Sequence, residues 1–250
     1  MCNMCNFFKK KLRAILQACG YEVRRIHPQV KSFDIPDAEL YQPLFSPWLA
    51  GGDFKRYYDL AAPKSLVSAD RCYVLYTLIR QTVTVPGDIW ECGVYKGGTA
   101  AMMAALLDQY APQKRLFLFD TFEGMPDTDP EKDWHKSGDF SDTSLESVSA
   151  YVGLAKQCVF RKGFIPDTFT GLESSVVAFA HIDVDIYKSI LDCLAFIWPR
   201  LSVGGFIVFD DYGFPTCPGA RMAVDEFFSD KHCIPLCLPT GQALVFKHKI

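Results

Sequence analysis

No run in this chain approaches the roughly 20 consecutive apolar residues that a membrane-spanning helix needs, so no transmembrane segment is expected. Strong charge of either sign is also missing. The 26 Lys and Arg against 29 Asp and Glu leave a formal −3, which gives no reason to expect a nucleic-acid partner. No G-x-G-x-x-G fingerprint and no internal repeat are found. The ten cysteines are scattered rather than paired. Cys92, Cys158 and Cys193 fall in expected strands and helices and read as buried thiols of a reducing cytoplasm, not as a disulfide framework. Cys2 and Cys5 form one C-x-x-C without a matched second, so a zinc site completed by Cys233 and Cys237 is the lesser reading. Residues Phe7 to Gly20 lack the unbroken apolar stretch of a secretion signal, because Arg13 interrupts them. They read instead as an amphipathic helix with Phe8, Leu12, Ile15, Leu16 and Cys19 on or near one face, docked on its own or a partner subunit.

What is present is an ordinary globular composition, 49% hydrophobic and 22% charged, over 250 residues. That is enough for one large α/β domain. Residues 1–64 read as a helix followed by aromatic-rich, proline-punctuated loops, and residues 65–250 as the main domain. Ser68 is placed to cap a helix with Cys72, Leu75, Tyr76 and Ile79 at helical spacing. Strands are expected at 88–93, 115–120, 158–160, 176–183 and 205–209, and a terminal hairpin over the last apolar runs. Helices are expected between them at 99–110, 145–154, 164–172, 187–198 (stopped by Pro199) and 218–228. Such alternation means a mostly parallel sheet covered on both faces, with the hairpin adding an antiparallel strand. The polar stretch from Thr121 to Ser144 is long for a plain connection and reads as a lid.

Open α/β sheets bind ligands at the carboxyl ends of their strands, and four of these strands end in chemistry. Glu91-Cys92-Gly93-Val94-Tyr95-Lys96-Gly97-Gly98-Thr99 is a strand end and a glycine turn opening a helix, with a carboxylate beneath it suited to a cationic amino group. Asp120 ends the next strand, where an acid can accept from ribose hydroxyls. Asp183, Asp185, Asp210 and Asp211 gather at two further ends. Carboxylates brought together in a cleft repel unless a cation joins them, and hard oxygen donors suit Mg²⁺. His181 lies inside a strand and reads as a core histidine.

Five motifs in order, E-C-G-V-Y-K-G-G-T, F-D-T-F-E-G-M-P, G-D-F-S-D-T-S, H-I-D-V-D-I-Y-K-S and G-G-F-I-V-F-D-D-Y-G, resemble the macrocin O-methyltransferase family from about Ser65 onward. The resemblance implies a Rossmann-like class I methyltransferase fold with a seven-stranded, mostly parallel sheet. It also implies S-adenosylmethionine as donor, Mg²⁺ as metal and a hydroxyl of a sugar or glycosylated natural product as acceptor. Carried over by motif, Glu91, Gly93 and Gly97 would meet the methionine part of the cofactor, with Val94, Tyr95 and Thr99 also expected to bind it. Asp120 would meet the ribose, with Thr121 and Phe122 also expected to bind the cofactor, and Gly138, Asp139, Phe140 and Ser141 would lie by the adenine. Asp183, Asp210 and Asp211 would hold the metal, and Phe122 to Trp134 would belong to the lid. Asp183 is the expected base, beside the cofactor as well as the metal, with His135 on the lid as a second candidate. Enzymes of this kind often form homo-oligomers, which is the expectation here, as is a cytoplasmic location. Catechol-type relatives place a lysine three positions after the first metal aspartate. Here that position is Ile186, with Lys188 two further on, which favours an aliphatic hydroxyl.

Overall fold

A computed structural model describes residues 12, 15–16, 18–19, 46–49, 52–153 and 156–249. The chain divides into two compact units, Met1–Asp34 and Ile35–Ile250. In the first, Leu12, Ile15, Leu16 and Ala18 are helical, and the Cys19 amide donates to Ile15 and Leu16 carbonyls at 3.1 Å. Phe8, Cys2 and Cys5 lie outside the described residues.

In the second unit, α1 (Asp53–Ala61) and α2 (Ala69–Gln81) precede β1 (Asp88–Cys92), α3 (Gly98–Tyr110) and β2 (Leu116–Asp120). Then follow α4 (Leu145–Val152), β3 (Cys158–Lys162), β4 (Val177–Ile182), α5 (Tyr187–Arg200) and β5 (Leu201–Phe209). α6 (Pro218–Phe228) and the hairpin β6 (Leu236–Cys237) and β7 (Ala243–Phe246) close the chain. The sheet order is β3-β2-β1-β4-β5-β7-β6, parallel except for β7, which runs antiparallel to β5 and β6. This is the expected seven-stranded α/β sheet, and its order reverses between β1 and β4, where such folds open a binding crevice.

Side chains on a strand alternate between faces, and here each face has its own core. Ile89, Leu116, Leu118 and Phe179 pack on one side with α2 and α3; Trp90, Phe117, Phe119, Ile182 and Phe209 pack on the other with α5 and α6. Central strand β4 is buried along its whole length, as a strand covered on both faces must be. Phe54 and Tyr57 of α1, read from sequence as part of an aromatic extension, are buried in the first of these cores; Phe54 meets Tyr73 edge-on at 5.1 Å.

Three local expectations are corrected. Residues 164–172 form only a short 3-10 turn, Asp167–Phe169. Pro166 offers no amide, and Gly163 and Gly171 at positive φ bound the turn. The carbonyls of Thr168 and Thr170 are taken by the Arg161 guanidinium, at 3.0 and 2.5 Å. α5 runs through Pro199 to Arg200. So near the helix end, the missing amide costs one bond, and Arg200 donates to the Phe196 carbonyl at 2.7 Å. β5 starts at Leu201, four residues early, and its pairing with β4 shifts register between Val177 and Phe179.

Candidate active site

A cavity of about 300 Å³ opens at the carboxyl ends of β1, β2, β4 and β5. One wall is the glycine turn after β1. Gly93 has φ +86°, and a Cβ there would stand 1.8 Å from the Asp183 carbonyl oxygen, so only glycine lets the β1 and β4 ends lie this close. Gly97, at φ +81°, caps α3 and faces Val148 and Val152. Asp120 reaches across from β2. One carboxylate oxygen accepts from the Val94 and Tyr95 amides at 2.7 and 2.9 Å, and the other from the Phe122 amide at 2.7 Å. This acid therefore holds the turn in shape as well as facing the cavity.

Beneath the turn, strand register sets Glu91 beside His181, and their side chains meet at 3.1 Å. The other ring nitrogen of His181 lies 3.3 Å from Asp210. Asp210 also accepts from Gln242 at 2.8 Å and pairs with the Arg71 guanidinium from α2. Glu91, His181 and Asp210 are fully buried. Burial opposes charge on His181, but the two flanking carboxylates hold its proton and raise its pKa to about 10. His181 is thus a core histidine, as read, and also the bridge between two acids. Burial pushes Glu91 up, and its second oxygen, Oε2, accepts no hydrogen bond from the described residues. Such an orphaned acceptor is costly unless something supplies a donor.

The opposite wall carries Asp183, Asp185 and Asp211. Burial, and then the neighbouring Asp210, push Asp183 well above the usual carboxylate range; burial, Asp185 and Asp183 do the same to Asp211. Asp210 is held below that range, its burial outweighed by the bonds from His181 and the Arg71 charge. Donor atoms of Asp183, Asp210 and His181 lie within 4.8 Å of one another. His135 of the lid, Cys217 ahead of α6, Phe140, Phe164 and Phe214 complete the lining.

The structure brings Gly93, Val94, Tyr95, Thr99, Asp120, Thr121, His135, Phe140, Asp183 and Asp211 to the cavity surface. Glu91, Gly97, Phe122, Gly138, Asp139, Ser141 and Asp210 stand behind that surface or beside it. Phe122 is buried, and the Asp139 carboxylate turns to His135 at 3.2 Å. Lys188 is exposed on α5 and pairs with Asp192, away from the site. Sequence reasoning missed Arg71, Gln242 and Cys217. Arg71 follows Asp70 on an amphipathic helix and reads as part of its wet face. Only its third dimension, a side chain 11% exposed against Asp210, reveals it.

The family profile of macrocin O-methyltransferases (TylF) matches residues 61–238. The chain belongs to the macrocin O-methyltransferase family. Among curated members, the 8-demethyl-8-(2,3-dimethoxy-alpha-L-rhamnosyl)-tetracenomycin-C 4'-O-methyltransferase of Streptomyces olivaceus is 36% identical over 155 residues, 57% of this chain and 58% of that protein. The mycinamicin III 3''-O-methyltransferase of Micromonospora griseorubida is 35% identical over 164 residues, 60% of this chain and 63% of that one. The match thus spans about three fifths of these relatives. The solved O-methyltransferase NovP shares the fold, with a TM-score of 0.68 at 22% identity over 79% of this chain and 100% of that one. The macrocin family fold is therefore the class I methyltransferase sheet described above.

Proposed function

We propose that this protein transfers a methyl group from S-adenosylmethionine to a hydroxyl of a sugar or glycosylated small molecule. The observation that carries the reading is one cavity whose two walls differ in chemistry: a glycine turn with its helix N-terminus on one side, clustered carboxylates on the other. Backbone amides and Asp120 suit the cofactor's amino-acid and ribose groups. Glu91 lies one layer deeper, and its orphaned oxygen suits a cationic amino group reaching that depth. One curated relative is named for methylating a rhamnosyl-bearing tetracenomycin, which supports a glycoside acceptor.

The acids fit a divalent cation. Half-buried Asp183 and buried Asp211 face the cavity with carboxylate oxygens, and Asp183 and Asp210 approach closely enough to share an ion. Asp210 would join while keeping its bonds to Arg71, His181 and Gln242. When bound, such a metal supplies Lewis acidity that lowers the pKa of a coordinated hydroxyl. Asp183 accepts the hydroxyl proton, and Arg71 and His181 hold Asp210 in place beside it. The lid from Thr121 to Ser144 excludes water, and the two walls align sulfonium carbon and acceptor oxygen. In this reading the enzyme works in the cytoplasm, where the free thiols of Cys72, Cys92 and Cys193 remain reduced, and it assembles as a homo-oligomer.

The test is transfer of isotope-labelled methyl from S-adenosylmethionine to a panel of glycosides and their sugar-free aglycones. Label on glycosides alone is expected. Label on catechols and not on glycosides would overturn the acceptor class.

A further inference from the structure

Three donors of different chemistry converge on the carboxylate wall from separate segments. His135 comes from the lid, Asp185 from the turn after β4, and Cys217 from the position before α6. Cys217 Sγ lies 3.3 Å from Asp185 Oδ1 and 3.7 Å from His135 Nε2, and that nitrogen is 3.7 Å from Asp185 Oδ1. A tetrahedral ion with metal–N and metal–O bonds of about 2.0–2.1 Å and a metal–S bond of about 2.3 Å needs its donors roughly 3.3–3.6 Å apart. All three edges come within about half an ångström of that triangle. The second ring nitrogen of His135 faces Asp139 Oδ2 at 3.2 Å. Metal-binding histidines are oriented by a carboxylate in this way. All three donors line the cavity, so a fourth coordination position opens onto it.

We propose that His135, Asp185 and Cys217 form a second metal site, selective for a borderline ion of the Zn²⁺ class and distinct from the set around Asp183 and Asp210. Mixed N, O and S donors favour Zn²⁺ or Co²⁺ over Mg²⁺. Binding breaks the Cys217 S–H bond, forms a metal–thiolate bond and releases the proton to solvent, with no change of oxidation state. The ion ties the lid to the cavity wall, while its open position leaves room for a water or an acceptor oxygen. The site needs no methyl donor, so its test is independent of the proposed activity.

Co²⁺ is the probe, titrated into the full chain after chelator treatment and with excess Mg²⁺ present to fill the oxygen-donor site. A thiolate-to-cobalt charge-transfer band in the near ultraviolet and intense tetrahedral bands in the visible are expected, saturating near one ion per chain and bleached by Zn²⁺. Cys217→Ser should remove the near-ultraviolet band and Cys237→Ser should keep it. Asp139→Asn should weaken Co²⁺ binding about 10-fold or more. Absence of the band in the unmodified chain, or its survival in Cys217→Ser, overturns the proposal. Should Cys217→Ser lose its fold by circular dichroism, His135→Gln replaces it. A fall of at least about 10-fold in Co²⁺ affinity supports the site, and an unchanged affinity overturns it.

Discussion

The two walls of the cavity are built on opposite principles. The glycine turn is over-determined: Gly93 fits by sterics alone, and three backbone amides close on Asp120. The aspartate wall is under-neutralised: Asp183, Asp185 and Asp211 face the cavity, and burial and then neighbouring acids raise their proton affinity, while the nearby guanidinium of Arg71 pairs with Asp210. The first wall is finished before any ligand arrives. The second reaches a favourable electrostatic state only with a cation or protons, so its energetics belong to function more than to folding.

That contrast can be broken by substitution. The largest effect is expected at Gly93→Ala, whose Cβ meets a backbone carbonyl at a positive φ; urea unfolding should show a loss of about 3 kcal/mol or more. A variant within about 0.5 kcal/mol of the parent would mean that the β1 and β4 ends are not so closely apposed. Asp120→Ala leaves three backbone amide donors without their carboxylate and should cost about 2–3 kcal/mol by the same measurement, besides weakening cofactor binding. Asp211→Asn should go the other way. It removes a buried like charge while an amide oxygen can still accept from the Asp185 amide, so stability should hold or rise by about 1 kcal/mol while divalent-metal affinity falls. A strong destabilisation by Asp211→Asn would erase the distinction between the walls. Lys188→Ala, on the exposed face of α5, should change stability and turnover negligibly, within about 0.5 kcal/mol.

Much of this was legible in the sequence because it rests on local chemistry. Strand ends carrying Asp120, Asp183 and Asp210-Asp211, the glycines at 93 and 97, and apolar β4 each follow from pattern and turn rules, and sheet topology then gathers them. The residues that escaped act through distance. Arg71 and Gln242 converge on Asp210 from far along the chain, and no spacing rule links positions 71, 210 and 242. Cys217 looked like one more scattered thiol until folding set it beside His135 and Asp185. The helix expected over 164–172 failed because Pro166 and the glycines at 163 and 171 break it and Arg161 takes two of its carbonyls, local features that apolar periodicity does not contain. Asp139 and Ser141 shared a motif with Phe140, yet only Phe140 reaches the cavity.

The most direct test of the central claim is calorimetric titration of S-adenosylmethionine into the purified chain, with and without Mg²⁺. Saturable binding near one ligand per chain is expected. Binding that fails under both conditions would contradict it, leaving the cavity without its cofactor and the acids without their reaction.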